Sequence, residues 1–431
     1  MSEHISKYQE KFKATFFPRH QAAIYKRLET KHSSVEVIEN DPLGTEMVLN
    51  LGPQHPATHG VLRVVTKLDG ENIEKVVLDL GYLHRGIEKI AENKTYQEFM
   101  PYTDRMDYLS PYSSNVGFCL AVEKLANIQV PERAQYIRTI ACELARLSAH
   151  LLWLGTMVMD AGAISMFMYA FRERENLYMI FDKFAGVRFT VSHCRIGGIQ
   201  YDLADDTIKM IRDFIKNFKK ELVGWNKLLN KNAIWINRNI GVGVVSQADA
   251  IAYGFTGPSL RASGVAHDIR VAEPYLVYDQ VDFDIPIRTE GDCLARYFVR
   301  MDEMEQSVRI IEQLLDRLPA GDIRADNAKQ TYPSKDEVYY SMEGLIHDFM
   351  MTDIGVCPPK GAEVYSAIEA PKGELGFHFI SDGTGSPWRL KINSPSFSNL
   401  QVLEKMMEGA VVADTVVLIG SLDPVMGEAD K

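Results

Sequence analysis

The chain has 431 residues, is 46% hydrophobic and carries a formal net charge of -11 at pH 7. That length and apolar content suffice for a large core, and we interpret the chain as one compact, two-lobed body. The negative charge and the absence of a Lys/Arg-rich run argue against a nucleic-acid partner.

The five cysteines are scattered, and no C-x-x-C pair occurs among them. They are Cys119, Cys142, Cys194, Cys293 and Cys357. This pattern is typical of a reducing compartment and disfavours a disulfide framework, or an iron–sulfur or zinc site built by this chain alone. We predict that the thiols are core residues.

Residues 1–44 mix acidic and basic side chains without the apolar segment of a signal peptide. We interpret them as an extension that lies on a partner or stays mobile, and expect the protein to stay in the compartment where it is made. Residues 147–171 are apolar enough to suggest a membrane span, but His150 and Asp160 interrupt them. A buried helix pair is therefore the favoured interpretation.

The sequence LGPQHPATHG at residues 51–60 predicts a tight, non-helical loop because it places two histidines among prolines and glycines. Two β-branched runs follow it, at 61–67 and 73–80, and Asp69-Gly70 lies between them. Such a pattern predicts a β-hairpin with the histidine loop at its mouth.

Helical periodicity dominates the middle of the chain, and alternating apolar residues return near its end. The predicted helices span 87–99, 101–125, 131–154, 208–229 and 297–315, and the predicted late strands span 364–368, 376–380 and 388–392. We therefore predict an α+β fold, with a central long-helix bundle and small antiparallel β-sheets near both chain ends. Gly241-Val242-Gly243 lacks a third glycine and is weak evidence for a dinucleotide site.

His55 and His59 are four residues apart, which on a helix would suggest zinc, but Pro56 and Gly60 exclude that helix. Both imidazoles can instead simply form hydrogen bonds within the loop. His59 is the better candidate for exposure to a cavity, because Gly60 allows another group to approach the backbone closely.

Tyr108 falls on the predicted helix that Pro101 opens, and the alternative is that it is a core or interface residue. Arg85 and Arg105 are by default solvated or paired with acids. Asp160 follows an apolar run, so its carboxyl group must find a partner or shift its pKa upward.

Three motifs in the same order resemble one family. They are LGPQHPATHGVLR at 51–63, LHRGIEK at 83–89 and DRMDY at 104–108, and RIGG at 195–198, LRASG at 260–264 and DPVMGE at 423–428 add to them. From about residue 45 to the end, the chain is similar to the D subunit of the proton-pumping NADH:quinone oxidoreductase, respiratory complex I. The resemblance implies two parts, an extension at 1–44 and a quinone-site domain at 45–431.

That family resembles in fold the large subunit of nickel–iron hydrogenases, whose metal is held by two C-x-x-C pairs, one near each chain end. Here residues 83–89 and 423–428 contain no cysteine, and a soft metal requires thiolates. The resemblance therefore implies that this chain holds no metal and that the former metal cavity accepts a quinone headgroup. A hydrogenase-type enzyme and a non-catalytic assembly scaffold remain the alternatives.

The resemblance also assigns roles to residues. His59 and Tyr108 match the two proton donors to the quinone headgroup, and Asp160 matches the acid that pairs with the loop histidine. Arg85 and Arg105 match arginines near a [4Fe-4S] cluster on a neighbouring subunit, from which electrons arrive. Protonation changes at these residues would then couple quinone reduction to proton translocation.

The same resemblance implies partners and a location. The partners are the other peripheral-arm subunits, including the one with the terminal cluster, and the membrane-arm subunits; the location is peripheral, on the cytoplasmic face of the bacterial membrane. The chain alone would be inactive. Two departures occur: Thr190 replaces a histidine of many relatives, with His193 three positions away, and Lys431 replaces a frequent arginine.

Overall fold

The computed structural model describes residues 46–55, 60–326 and 330–431. The strands there are β1 (Glu46–Leu51), β2 (Arg63–Asp69), β3 (Asn72–Asp79), β4 (Cys194–Arg195), β5 (Gly198–Ile199), β6 (Glu363–Ala370), β7 (Gly373–Ser381) and β8 (Pro387–Asn393). They form three antiparallel sheets in the orders β1-β2-β3, β4-β5 and β6-β7-β8. The predicted extension at 1–44 lies outside the described residues, so the division into two parts stays a prediction.

The helices of the described chain connect the first sheet with the last. They are α1 (Ile87–Ala91), α2 (Tyr96–Thr103), α3 (Pro111–Ala126), α4 (Glu132–Asp160), α5 (Ile164–Ala185), α6 (Asp205–Leu229), α7 (Ala233–Asn239), α8 (Gln247–Ala252), α9 (Gly257–Arg261), α10 (Ile269–Ala272), α11 (Cys293–Asp316), α12 (Lys335–Tyr340), α13 (Met342–Asp353), α14 (Pro395–Leu400), α15 (Leu403–Met407), α16 (Thr415–Leu422) and α17 (Met426–Ala429). The α+β prediction is confirmed.

The first sheet confirms the predicted hairpin. Strands β2 and β3 pair on either side of the Asp69-Gly70 turn, and Gly70 has a φ of 59°, which is the left-handed region that glycine adopts at little cost. Val64 and Val65 on β2 are fully buried. The hairpin is therefore anchored to the core, with the histidine loop at the start of β2.

The segment between the hairpin and α3 differs from the prediction. The apolar pattern predicts one helix over 87–99, but Thr95 caps a new helix there, because its side chain and that of Glu98 form a reciprocal capping box. Pro101 lies inside α2, and Pro111 opens α3 instead. The prediction that Tyr108 lies on a helix is therefore wrong: it lies in the connection between α2 and α3.

The long helices form the predicted bundle. Helix α4 packs against α5 and α11, and its apolar residues, such as Trp153 and Leu147, are fully buried. The chain turns between α4 and α5 at 161–163, where Gly162 has a φ of 99°. The predicted helix pair at 147–171 is confirmed, and within the described ranges no helix is long and apolar enough to cross a membrane.

The last sheet packs on α3. Phe118 of α3 lies edge-on to Phe377 and Phe379 of β7, with ring centroids 6.0 and 5.5 Å apart. The tight turn between β6 and β7 carries Lys372 into the interior, where its side chain is 1% exposed. An aromatic core thus fixes the position of a buried lysine.

The prediction for the cysteines holds in four of five cases. Four thiols are buried, whereas Cys357 is exposed in the segment that precedes β6. All five are free.

Candidate functional site

The two segments that lack cysteines meet in space. The Asp430 carboxylate accepts hydrogen bonds from the backbone N–H groups of Gly81 (2.9 Å) and Leu83 (2.8 Å). His84 Nδ1 donates to the Asp430 carbonyl oxygen at 2.6 Å, and the backbone N–H of Arg85 donates to the carbonyl oxygen of Lys431 at 3.1 Å. Four hydrogen bonds therefore close the end of the chain onto the segment after β3. We call this contact the C-terminal tie.

Arg85 joins this contact to the segment before α3. Its Nη2 donates to the carbonyl oxygens of Arg105 and Gly427, both at 2.8 Å. Arg105 Nη1 donates to the carbonyl oxygen of Pro101 at 2.6 Å and lies 3.7 Å from an Asp104 carboxylate oxygen. Both arginines are exposed, so the structure brings two predicted cationic residues to one surface.

Tyr108 lies against α17. A Cβ atom on Gly427 would come within 3.0 Å of Tyr108 Cε1 and 2.6 Å of the Met106 carbonyl oxygen, so only glycine fits beneath the ring. Burial, with a further contribution from Asp107, raises the pKa of the Tyr108 phenol. The half-buried phenol therefore stays protonated at neutral pH.

The histidine loop reaches the same helix. His55 and Gly60 form an antiparallel bridge at its base. A Cβ atom on Gly60 would lie 3.3 Å from Met426 Cγ, so the loop base packs against α17. His59 lies outside the described residues, as do 56–58, and its predicted position near Tyr108 stays a prediction. What the structure does show is that Gly60 and Tyr108 approach consecutive residues of one helix.

Asp160 is the last residue of α4 and is partly exposed. Its predicted pairing with His59 stays a prediction, because the imidazole is not among the described residues.

A buried cluster next to Tyr108 is not indicated by any sequence pattern. We call Asp107, Lys372, Asp423 and Glu428 the lysine cluster; each is less than 5% exposed. Lys372 Nζ lies 3.3 Å from Asp107 Oδ2 and 3.5 Å from Asp423 Oδ2. Burial alone would lower the pKa of the Lys372 ammonium, but these two carboxylates outweigh it and raise the pKa. The three acids lie in motifs that the sequence singles out, whereas Lys372 lies in a predicted turn and carries no such signal.

A second buried network lies deeper in the bundle, on α4, α9, α11 and β6 and at the start of α10. We call it the arginine cluster; its members are Glu143, Arg146, His150, Arg261, Asp268, Arg270, Glu303 and Glu369. Glu303 Oε1 accepts hydrogen bonds from Arg146, Arg261 and Arg270, each at 3.2 Å. Despite burial, the arginines hold the pKa of the Glu303 carboxyl group well below its usual range.

His193 is fully buried and does not replace the histidine missing at Thr190 as a protonatable group. Its Nε2 donates to the Tyr201 carbonyl oxygen at 2.8 Å, and its Nδ1 accepts from the Tyr112 hydroxyl at 3.2 Å. Burial lowers the pKa of His193 to about 4. The imidazole is therefore neutral at neutral pH.

Among the described residues, no metal centre lies at this site, and a groove elsewhere on the protein does not coincide with it. In 46–55, 60–326 and 330–431, no three or more His, Cys, Asp or Glu side chains are grouped to hold a metal ion. A groove of about 460 Å³ lies between α3, the segment 273–276 and β6, and none of the predicted site residues that the structure describes lines it. The candidate site is thus the surface around α17, where Arg85, Tyr108 and Gly60 meet.

Fold and site together define a class: an α+β protein with the hydrogenase-large-subunit-like fold, in which the junction between the segment after β3 and the last residues of the chain carries no thiol. Residues 160–431 match the model of the family described as "Respiratory-chain NADH dehydrogenase, 49 Kd subunit". The chain is 65% identical, over 96% of its own length and 96% of the relative's, to the D subunit of the NADH-quinone oxidoreductase of Salinibacter ruber.

Two further relatives carry the same description. The chain is 62% identical to the D subunit numbered 1 of Chloroherpeton thalassium, over 95% of this chain and 92% of the relative. It is 50% identical to the D subunit of Geotalea uraniireducens, over 89% of this chain and 98% of the relative. The chain therefore belongs to the family of NADH-quinone oxidoreductase D subunits, the 49-kDa subunits of complex I, and the predicted resemblance is confirmed. Membership implies oxidoreductase activity within that complex and other complex I subunits as partners.

Proposed function

We propose that this chain forms one wall of the quinone-reduction cavity of its complex and that Tyr108 and His59 donate protons to the quinone headgroup. The observation that supports this most directly is the meeting of Gly60 and Tyr108 on α17, at Met426 and Gly427. His59 directly precedes Gly60 in the chain, and this is why the contact of Gly60 with α17 supports the proposal.

The chemistry suits these residue types. Reduction of a quinone to a quinol takes two electrons and two protons, so a donor is needed near each carbonyl oxygen. A phenol with a raised pKa keeps its proton until the headgroup oxygen becomes negative, and then donates it. An imidazole can donate the second proton and be protonated again near neutral pH.

The electrons would come from a [4Fe-4S] cluster on a partner subunit. Arg85 and Arg105 expose their guanidinium groups on the surface beside Tyr108, and such positive charge would favour the reduced form of a nearby cluster. This chain itself would hold neither the cluster nor a metal. The surface around α17 would be closed by that partner, which is why the chain alone would not reduce quinone.

Coupling to proton translocation would begin at the loop. Once His59 has given up its proton, an Asp160 carboxylate that had been paired with an imidazolium would face a neutral ring, and the local charge would change by one unit. The chain would act on the cytoplasmic face of the bacterial membrane as a peripheral subunit, in contact with membrane-arm subunits that carry the translocation.

The test is Tyr108→Phe in the assembled complex. Because the ring is kept and only the O–H is lost, we expect quinone reduction to fall at least a hundredfold, within the range typical of a lost general acid. NADH oxidation by an artificial acceptor should be unchanged. Tyr102→Phe is the matched control: Tyr102 is half-buried six residues earlier and stacks on Phe99 at 5.6 Å.

Two results would favour the alternatives. Normal quinone turnover in an assembled Tyr108→Phe complex would support a non-catalytic scaffold. Stoichiometric nickel in the purified protein would support a hydrogenase-type enzyme.

A further inference from the structure

The lysine cluster lies directly behind Tyr108, and the proposed function assigns it no role. Asp107 precedes Tyr108 in the chain, and its Oδ1 accepts a hydrogen bond from the backbone N–H of Leu109 at 3.1 Å. Lys372 and Asp423 are close enough to shift the pKa of the phenol in opposite directions. The cluster is therefore electrostatically part of the Tyr108 environment.

Charge in this cluster is not balanced if every group is ionised. One ammonium group, that of Lys372, lies within 4 Å of Asp107 and Asp423. The buried Arg174 and Arg300 also act on Asp107 and Asp423, without forming an ion pair with them. A buried charge without a partner is costly, and a carboxyl group avoids that cost by keeping its proton. Asp107 and Asp423 have cations nearby, whereas no described residue forms an ion pair with Glu428, so Glu428 is the acid expected to be neutral.

Glu428 is the acid whose contacts fit the neutral form. It is fully buried, and its Oε1 accepts hydrogen bonds from the backbone N–H of Ser396 at 3.2 Å and from the Ser396 hydroxyl group. Its Oε2 receives no hydrogen bond from any described residue. Burial first, and the neighbouring Asp107 second, raise the pKa of Glu428 to about 8.

We propose that Glu428 is a proton store for Tyr108. After the phenol has given its proton to the reduced quinone, Lys372 passes one of its protons to the phenolate and takes one from the Glu428 carboxyl group. The net step breaks the Glu428 O–H bond and forms the Tyr108 O–H bond, leaving a Glu428 carboxylate and no change in total charge.

The direction of transfer follows from the relative acidities. The phenol, with a pKa raised above 10, is a weaker acid than Glu428, so the proton moves downhill to the phenolate. The charged groups that act on Glu428 are Asp107, Lys372 and Lys431, and Asp423 acts on Lys372. Lys372 links the two end groups electrostatically: its Nζ lies 3.3 Å from Asp107, which precedes Tyr108, and its charge acts on both the phenol and Glu428.

This inference rests on the proposed function, and Glu428→Gln in the assembled complex tests it. Glutamine keeps the acceptor for Ser396 but cannot ionise. We expect quinone reduction at pH 7 to fall about tenfold, with NADH oxidation by an artificial acceptor unchanged. The wild-type rate should decline above about pH 8, where Glu428 has lost its proton, and the Glu428→Gln profile should lack that decline. Glu363→Gln, which changes an exposed glutamate paired with His378, is the matched control.

The outcomes separate this inference from the proposed function. If Tyr108→Phe abolishes quinone reduction but Glu428→Gln has the wild-type rate and pH profile, only the proton store is wrong. If Tyr108→Phe has no effect, the proposed function is wrong.

Infrared spectra of the wild-type complex and of Glu428→Asp test the inference if the Glu428→Gln variant does not assemble. In the wild type, the carbonyl band of a buried carboxylic acid should be present at pH 7 and disappear as the pH rises through about 8. In Glu428→Asp the band should lie at a different frequency. If the wild type shows no such band at pH 7, the inference is wrong.

Discussion

The arginine cluster and the lysine cluster are both buried and both rich in carboxyl groups, yet they are paired very differently. In the first, Glu303 is in contact with three arginines and with His150, whose Nε2 lies 3.0 Å from Glu303 Oε2. In the second, Lys372 Nζ lies 3.3 Å from Asp107 and 3.5 Å from Asp423, and no described residue forms an ion pair with Glu428. Three arginines hold Glu303 in its ionised form, whereas a buried carboxyl group without a cation close by, such as Glu428, can keep a proton.

The difference follows from the residue types as well as from their number. A guanidinium group offers five N–H donors and does not lose its proton in proteins, so the three arginines around Glu303 keep their charge. An ammonium group is compact and can pass a proton on. The cluster beside Tyr108 uses lysine, and the cluster deep in the bundle uses arginine.

The largest expected effect comes from breaking the arginine cluster. Glu303→Gln would leave Arg146, Arg261 and Arg270 without their shared anion, and we expect the free energy of unfolding to fall by about 3–5 kcal/mol. The loss should be the same from pH 5 to pH 9, because the arginines stay charged. Denaturant unfolding of the purified chain measures it.

Glu312→Gln is the control for that variant, because Glu312 forms only an exposed ion pair with Lys219 and should contribute less than about 1 kcal/mol. If Glu303→Gln loses no more stability than this control, the ion pairs of the arginine cluster do not stabilise the fold as we infer.

Lys372→Met tests the lysine cluster in the same way. At pH 8 the variant should lose about 3 kcal/mol, since Asp107 and Asp423 lose their cation. At pH 5 the loss should be clearly smaller, because carboxyl groups without a partner can take up protons. Denaturant unfolding curves of Lys372→Met and the wild type at the two pH values measure the difference. If the loss of stability is the same at both, the carboxyl groups of the lysine cluster do not take up protons when their cation is removed.

The third and smallest effect is on how the free energy of unfolding changes with pH. The folded-state pKa of Glu428, about 8, lies above its unfolded value near 4.5, so the unfolded state loses this proton first. Between those values the wild type should lose stability as pH rises, by at most about 1.4 kcal/mol per pH unit, and Glu428→Gln should lack this contribution. Thermal unfolding of both proteins from pH 5 to pH 9 gives the slopes, and parallel curves would contradict a proton held at Glu428.

Sequence patterns predicted the parts of the fold that depend on neighbouring residues. The long helices followed from apolar periodicity and the hairpin from Asp69-Gly70, and both are confirmed. The prediction that Tyr108 lies on a helix was wrong, because Pro101 lies inside α2, which ends at Thr103, and Pro111 opens α3, and the apolar periodicity does not reveal this break. Family resemblance, not pattern, pointed to Tyr108 and Arg85 as site residues.

The lysine cluster could not be predicted because it joins residues that are far apart in the chain. Lys372 and Asp107 are brought together by the packing of the last sheet on α3, and a lysine in a tight turn is normally solvated. The role of His59 depends on a loop conformation that neither pattern nor the described residues supply, so it stays a prediction.

The C-terminal tie bears on how the site is made during translation. It joins residues separated by as many as 349 positions, so the wall beneath Tyr108 cannot close while the ribosome is still adding the segment that contains Asp430. Translation proceeds at roughly 5–20 residues per second, so the hairpin and most of the bundle are synthesised many seconds before the C-terminal segment that completes the tie. Synthesis order alone therefore keeps this surface incomplete until the rest of the chain is available to fold.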